Sequence, residues 1–346
     1  MPPNIYDQLV ECSAPPNNYT GTAIFLSYIV LALYATLSIA SSLYTQYTAV
    51  FQIAKITPPP KSSPESEHVQ AANAARRRHI KIYTFLASVS FAALSYHMLS
   101  FLITHLVTWT GTSKPAWNSG ALNLQLLQQW MLSSTLFGDF ARDLVREPQG
   151  MVWTQLAILE TWGWGLWIGW KARQHNIPTS TLRTFILLSQ ILPISFTATL
   201  FIIRLHLHIA RQSQTPTSTT TTPTNPYHLH KPYASPLLPT LLLNLALLSL
   251  PSLYPQTIFI PLVLFSRLIL LLPYLNILKL NAAELKRCGI VTVGCVVAFH
   301  VLGRRELWAG GRKRVLREGG FAVRALGWDA LIGMGVSGVV AWGGGL

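Results

Sequence analysis

The sequence predicts an all-α membrane protein, a polytopic bundle of eight to nine transmembrane helices in a single domain that covers residues 1–346. Half of the 346 residues are apolar and only 11% are charged, whereas soluble domains carry roughly a quarter charged residues. The apolar residues form blocks near the ~20 residues that one crossing of a bilayer requires. Basic residues flank these blocks, which is the pattern of membrane loops.

The apolar blocks define the predicted spans in chain order. Five have a full spanning length: Ala23–Leu43, Ile82–Leu106, Met151–Trp170, Phe185–Leu207 and Thr257–Ile277. Three meet that length less cleanly: Leu122–Phe140, Leu237–Tyr254 and Trp328–Trp342. The block Cys288–Leu302 is short. Hydropathy therefore favours nine crossings, whereas the positive-inside rule favours eight, because eight would return the basic loop Arg304–Arg324 to the cytosol.

Two polar stretches are predicted to be flexible loops. Residues 57–75 are rich in Pro and Ser and join the first two helices, and residues 213–226 form a Thr-rich tract of low complexity. Neither stretch can bury enough apolar surface to offset the entropy of ordering it. The Arg76–Arg78 cluster follows the first apolar block, so we expect a lumenal N-terminus and a cytosolic first loop.

The net charge of +14 does not indicate a nucleic-acid partner, because the basic residues lie beside the apolar blocks rather than in one patch. No His, Cys and Glu residues recur at metal-ligand spacing, and no Gly-rich phosphate loop is present. The sequence therefore predicts neither a metal site nor a cofactor site, and it indicates the lipid bilayer as the main partner of the chain.

Acidic residues are scarce, and three of them recur at i, i+4 and i+8, namely Asp139, Asp143 and Glu147. On a helix these three side chains share one face. They belong either to a solvated helix end at the membrane interface or to a functional site. Glu147 fits the interface, Asp139 lies deepest and fits a functional role, and Asp143 fits either.

Glu160 is the tenth residue of the block Met151–Trp170 and so lies near the middle of a predicted span. A carboxylate at that depth is costly, and such residues are functional hypotheses by default. Trp164 follows at i+4 and Trp153 precedes at i−7, so indole rings share its face. A protonated acid facing aromatic rings suits carbocation chemistry, because ring faces stabilise cations. The alternative is that Glu160 pairs with a Lys or Arg of another helix and the tryptophans form interfacial belts.

Four stretches carry a family pattern: FGDFARDLV, MVWTQLAILETWGWGLWIGWKARQHNIP, LLSQILPISFTATLF and AVRALGWDALIGMGVSGVVAW. They resemble a fungal family of small polytopic membrane proteins, which includes the integral membrane terpene cyclases of meroterpenoid pathways such as those to macrophorins and ascofuranone. The likeness covers roughly Gln125–Leu207 and Arg324–Trp342. The positions that match are Asp139, Trp153, Thr154, Gln155, Trp164, Gln190 and Asp329. Glu160 departs from the pattern, which usually has an uncharged residue there.

The resemblance implies a terpene cyclase of secondary metabolism in the endoplasmic reticulum membrane. Its partner would be a lipophilic substrate with a farnesyl-type chain, often epoxidised, cyclised by proton donation without a metal or other cofactor. Among the candidate acids, the resemblance favours Asp139 and Asp329, whereas Glu160 and Asp143 remain candidates from their own positions in the sequence. The candidate substrate-binding residues are Trp153, Gln155, Trp164 and Gln190.

One geometric expectation follows from this reading. The helices of Asp139 and Asp329 should pack together, so that both carboxyls border one cavity lined by Trp153 and Trp164. Two rivals remain open beside the cyclase. A proton-coupled transporter or exporter would use the buried acids to carry protons and would show pseudo-symmetric halves with interrupted helices. A non-catalytic membrane scaffold would use its acids only in ion pairs.

Overall fold

The fold of the described residues is all-α, as the sequence predicts. A computed structural model describes residues 15–51, 64–111, 124–146, 148–212, 234–254, 256–275, 277–298 and 319–343. Within these ranges the regular structure is helical, apart from one isolated bridge between Ala234 and Leu278. The tract 213–226, residues 57–63 and Glu147 lie outside the described ranges.

The helices of the described part are named here in chain order. They are α1 (Tyr19–Phe51), α2 (Pro64–Thr110), α3 (Leu124–Ser133), α4 (Leu136–Arg146), α5 (Pro148–Gln174), α6 (Thr179–Ile191), α7 (Ile194–Gln212), α8 (Leu237–Leu253), α9 (Phe259–Ile269), α10 (Ala282–Val297) and α11 (Phe321–Ala341). A short 3₁₀ helix, Leu272–Tyr274, follows α9. Residues 64–75 belong to α2, so the predicted first loop is wrong over that part.

Three helices of the described part, α1, α2 and α11, are long and apolar enough to cross a membrane. On α1 the large apolar side chains Val30, Leu33 and Leu37 are exposed on the outer face, as lipid-facing residues are. The described helices therefore indicate a membrane protein, although the count of eight to nine spans is not confirmed.

The predicted spans differ in how they fold. Met151–Trp170 lies inside the continuous helix α5, and Leu237–Tyr254 coincides with α8 to within one residue. Three blocks predicted as single spans are broken instead: Leu122–Phe140 into α3 and α4, Phe185–Leu207 into α6 and α7, and Thr257–Ile277 into α9 and the 3₁₀ helix. Apolar composition over 20 residues does not reveal such breaks, because the residues at each break are themselves mostly apolar or uncharged.

Contacts between side chains fix the helix directions. On α2 and α7, Ser90 meets Ser195, and His79 meets His206, so these two helices are antiparallel. Helices α5 and α11 are parallel, because Gly150 lies against Val323 and Glu160 against Gly333, ten residues further along both.

The ends of the bundle differ in charge. One end, called here the basic end, contains the end of α1, the start of α2 and the ends of α5 and α7. Arg77 of α2 donates to the carbonyl of Phe51 of α1. His208 near the end of α7 contacts the carbonyl of His175 just beyond α5. At the other end, called here the opposite end, Asn18 before α1 bonds to the carbonyl of Ser134 between α3 and α4.

Helices α6 and α7 form a hairpin that enters from the basic end and returns to it. Ser180 and Thr184 of α6 lie beside Ser38 and Ser42 near the basic end, whereas Tyr28, further toward the opposite end, reaches the carbonyl of Gln190. The turn after Ile191 lies at the level of Ser90, which is 15 residues, or about 22 Å, from His105 along α2. The block Phe185–Leu207 therefore folds as a hairpin with both arms directed to the basic end, and not as one continuous helix.

The core is centred on α7. Fourteen of its 19 residues are buried, and the ten apolar ones among them form one cluster with side chains of α1, α2, α5, α6 and α11. A second cluster lies between the other face of α5 and helices α8, α9 and α10. A helix that is apolar on nearly every side is stable only inside such packing. The hairpin turn therefore sits in the middle of the protein, where water is scarce.

Candidate functional site

The site begins with the break between α6 and α7. Pro193 has no backbone N–H and disfavours helical geometry in the residue before it. Leu192 accordingly is extended, with φ −110° and ψ 170°, and α7 starts afresh at Ile194. The first amides of a helix have no partner within that helix. At mid-bundle these amides need an acceptor from elsewhere in the protein.

Asp329 of α11 supplies that acceptor. Its Oδ2 accepts from the amide of Ile194 at 3.1 Å, and its Oδ1 accepts from the amide of Ser195 at 3.0 Å. The Ser195 hydroxyl donates to the same Oδ1 at 2.5 Å and also contacts the Ser90 hydroxyl of α2. A carboxylate suits a helix N-terminus because of the positive end of the helix dipole. Asp329 therefore joins three helices at the break.

Glu160 of α5 lies against the same face of α11. Both of its carboxyl oxygens are shielded from solvent, and the Trp164 side chain of the same helix is the one described group that interacts with them as a donor, outside regular hydrogen-bond geometry. The carboxyl rests on Gly333, where a β-carbon would overlap it. Gly333 is one helical turn beyond Asp329, so the two carboxyls are neighbours across the α5–α11 contact. No described Lys or Arg forms the ion pair with Glu160 that the alternative interpretation requires.

Trp164 lies one turn after Glu160 on α5, and its buried indole N–H interacts with the Glu160 carboxyl without reaching regular hydrogen-bond geometry. The ring is 5% exposed and packs edge-on against Trp167, with ring centroids 5.2 Å apart. The aromatic surface beside the carboxyl, expected from the spacing of these residues, is therefore present.

Gln190 borders the same region from the last turn of α6. Its backbone carbonyl accepts from the Tyr28 hydroxyl at 2.7 Å, whereas its side-chain amide nitrogen is buried without a hydrogen-bond partner in the described part. Unsatisfied buried polar groups are uncommon in folded proteins. Three groups that lack a regular hydrogen bond, on Glu160, Trp164 and Gln190, lie on the helices that meet around the hairpin turn.

Two predicted substrate-binding residues have other surroundings. Gln155 is buried, and its amide donates to the carbonyl of Leu247 at 3.4 Å, which fastens α5 to α8. Trp153 is partly buried and packs against the second apolar cluster. Thr154, another position of the family pattern, donates to the carbonyls of Leu144 and Gly150. These contacts hold α5 in place.

Asp139 belongs to a separate polar group at the opposite end. Its Oδ2 accepts from Thr135 at 2.8 Å, and Arg142 lies 3.4 Å from its Oδ1. The Trp130 indole N–H donates to Nδ1 of His105 at 3.0 Å. Because that nitrogen accepts, the ring is neutral with its proton on Nε2, which donates to Oδ2 of Asp139 at 3.3 Å. The side chain of Asp139 is one-third exposed.

Helices α4 and α11 pack together, as expected, but the expectation that Asp139 and Asp329 border one cavity is wrong. Asp139 lies at the level of His105 on α2, and Asp329 reaches Ser195 at the level of Ser90. Fifteen residues of helix separate those levels by about 22 Å. Asp143 is half-buried on α4, the helix of Asp139, and so does not join the pair at the hairpin turn.

A cavity of about 260 Å³ lies elsewhere, between α1, α6 and α7 near the basic end. None of the predicted site residues lines it. Among the described residues no group of three His, Cys, Asp or Glu side chains could hold a metal ion. The prediction that no metal is needed stays a prediction.

Three residues of the site were missed from the sequence. Gly333 carries no local signal, because its role depends on a helix 173 positions away. His105 and Trp130 likewise meet Asp139 only through packing. The break itself had a signal, since Pro193 in LLSQILPISF is a standard helix breaker.

Comparison with known proteins identifies no relative. No protein-family model matches the chain, and neither the curated proteins nor the solved structures contain a match to it.

Proposed function

We propose that this chain is a membrane-embedded terpene cyclase that protonates the prenyl chain of a lipophilic substrate and closes it into rings through carbocations. The observation that carries the proposal is the carboxyl of Glu160, which is buried at mid-bundle against Gly333, has no cationic partner among the described residues, and lies beside the Trp164 indole and close to Asp329. A carboxyl in such surroundings is less costly as the neutral acid. It is therefore able to donate a proton.

The reaction needs only the proton and the substrate. The Glu160 carboxyl transfers its proton to a terminal alkene carbon, or to the oxygen of an epoxide, and leaves a carbocation on the prenyl chain. A second alkene attacks the cation and closes a ring. A carbon next to the final cation then loses a proton to the Glu160 carboxylate, which restores the acid. The reaction is an isomerisation, and apolar surroundings protect the cation from water.

The other residues of the site hold the helices in place or contact the substrate, and do not transfer the proton. Asp329 accepts three hydrogen bonds from α7, so it holds the hairpin against α11, and its charge disfavours a second charge on Glu160. The Trp164 ring stabilises positive charge on the substrate. The Gln190 amide is available to a substrate oxygen. Asp139 lies outside this group, and we assign it to the stability of the opposite end.

The same arrangement suggests a multi-pass topology. Helices α1, α2, α5, α8, α9, α10 and α11 alternate in direction between the two ends, as contacts such as Trp162 with Thr240 and Ser235 with Glu284 indicate. The described Lys and Arg residues are concentrated at the basic end, which favours a cytosolic position for it. We therefore propose a multi-pass topology with the basic end in the cytosol, a lumenal N-terminus and residence in the endoplasmic reticulum.

A proton-coupled transporter is the second candidate, and one observation favours it. Transporters bind substrate at broken helices near the bilayer midplane, and α6–α7 is such a break. In this chain, however, Asp329 already satisfies the exposed amides of α7. A transporter would acidify or alkalise liposomes that contain the protein when substrate is added, whereas a cyclase would release a new product.

The test is product formation in yeast microsomes that contain the full chain. Farnesylated phenols, plain and epoxidised, are supplied, and the products are analysed by mass spectrometry. We expect a cyclised isomer of unchanged mass, and Glu160→Gln should lower its formation by about 10²- to 10⁴-fold, the usual contribution of a general acid. Asp139→Asn is the matched control and should retain turnover.

Other results would contradict the proposal. If Asp139→Asn abolishes turnover while Glu160→Gln retains it, the acid is at the opposite end and the assignment of Glu160 is wrong. If the wild-type chain converts neither substrate but moves protons in liposomes, it is a transporter. If it does neither, the scaffold interpretation is favoured.

A further inference from the structure

Six of the nine residues that line the cavity between α1, α6 and α7 carry side-chain hydrogen-bond donors. Ser38 and Ser42 are one turn apart on α1, and Ser180 and Thr184 are one turn apart on α6. The two hydroxyl rows face each other across a cavity of about 260 Å³. Apolar residues form the rest of the lining: Ile39, Leu43 and Phe185.

Arg204 of α7 lines the same cavity. Its Nε and one terminal nitrogen, Nη1, are buried and have no hydrogen-bond partner in the described part of the chain. No ion pair joins Arg204 to a described carboxylate. The side chain as a whole is only partly buried, and its two unpartnered nitrogens are available to an anion that enters the cavity.

The donors identify the kind of anion. A guanidinium presents a planar fork that matches the oxygens of a phosphate or carboxylate, and surrounding hydroxyls suit a group with several acceptor oxygens. No described carboxylate lines the cavity to oppose such a ligand. The first turn of α6, which contains Ser180 and Thr181, has no side-chain cap, so its free amides add further donors.

The position of the cavity indicates where the anion comes from. It opens beside α1, whose outer face exposes large apolar side chains such as Leu37 and Tyr44, and it lies at the basic end. We propose that this cavity binds a phosphoryl group at the membrane surface, with the headgroup of an anionic phospholipid as its source. Arg204 is the principal ligand residue. The site is independent of the reaction proposed for Glu160.

The test uses the purified full chain in a mild non-ionic detergent. Phosphatidic acid, phosphatidylinositol or phosphatidylcholine is added, and bound lipid is counted by native mass spectrometry. We expect the two anionic lipids to bind, and Arg204→Gln to weaken their binding on the order of 10- to 100-fold, because hydrogen bonds to charged groups contribute that much. Arg183→Gln removes the same charge from an exposed position of α6 outside the cavity lining and should bind normally.

Two further arms separate the possible sources of the phosphoryl group and guard against misfolding. Inorganic phosphate and pyrophosphate are added to lipid-free protein, and thermal unfolding is measured. If these anions stabilise the wild-type protein but not Arg204→Gln, and the anionic lipids do not bind, the ligand is a soluble phosphate. The double variant Ser38→Ala and Ser42→Ala keeps every charge and should weaken binding by about 2- to 10-fold per lost hydrogen bond. This double variant tests the proposed site if Arg204→Gln fails to fold.

Three results would overturn the proposal. Equal loss of lipid in Arg183→Gln and Arg204→Gln would show a general effect of surface charge. Absence of binding by every phosphate probe would show that the cavity is not an anion site. Equal binding of phosphatidylcholine and of the two anionic lipids would show that the cavity does not select an anion.

Discussion

Replacing Gly333 by alanine would put a methyl group where the carboxyl of Glu160 now lies. The new β-carbon would be 2.6 Å from Cδ and 2.9 Å from Oε2 of Glu160. Non-bonded carbon atoms sit at about 3.5–4.0 Å. The Cδ atom must therefore move from 2.6 Å to at least ~3.5 Å, a shift of about 0.9 Å.

The shift should affect chemistry more than folding. Glu160 has a flexible side chain that can rotate away, and alanine favours the interior of a helix over glycine by roughly 0.5–1 kcal/mol. We therefore expect the free energy of unfolding to change by no more than about 1 kcal/mol. A displacement of about 1 Å in a reacting group, by contrast, can lower turnover by about 10²-fold.

Gly335→Ala supplies a matched control on the same helix. A β-carbon at Gly335 would meet no heavy atom within 4 Å, so this variant should retain both turnover and stability. Turnover is measured in microsomes by product mass spectrometry, and stability by thermal unfolding in detergent. Full turnover of Gly333→Ala in a folded protein would refute the claim that Glu160 acts from its position against α11.

Four other predictions concern the contact of Asp329, the pH dependence of stability, the topology and the metal requirement. Asp329→Asn should lower the free energy of unfolding by about 1.5–3 kcal/mol, because it loses a charge-assisted bond to α7; thermal unfolding measures this. The pKa of His175 is lowered from its usual 6.5 by burial, and next by Lys171 and His208, so its neutral form is favoured in the folded state. The contribution of neutral His175 to the free energy of unfolding should be complete above pH 6.5 and should be lost as the pH falls through the lowered pKa. The His175→Gln variant should therefore show a flatter profile of stability against pH. Cysteines placed at Asn176 and within residues 213–226 should react from the same side of sealed microsomes if α6–α7 is re-entrant, and labelling from opposite sides would show a crossing. Excess chelator should leave cyclase turnover unchanged.

Local sequence patterns were sufficient for the long helices and for one member of the site. The apolar blocks located α1, α2, α5 and α11, because apolar composition depends only on neighbouring residues. The depth of Glu160 within its block, and the spacing of Trp164, also predicted a buried acid beside an indole. Pro193 could have revealed the break after Leu192, since its effect on the preceding residue is local.

The partners of the acids were decided only by tertiary structure. Asp329 and Ser195 are 134 positions apart, and Asp139 meets His105 across 34 positions. Helical periodicity gives the direction in which a side chain points around the axis of its own helix. It does not give the depth at which one helix lies against another, which results from packing of the whole bundle. For that reason Asp139 and Asp329, alike in sequence context, lie at different levels, and only the folded chain places Gly333 opposite Glu160.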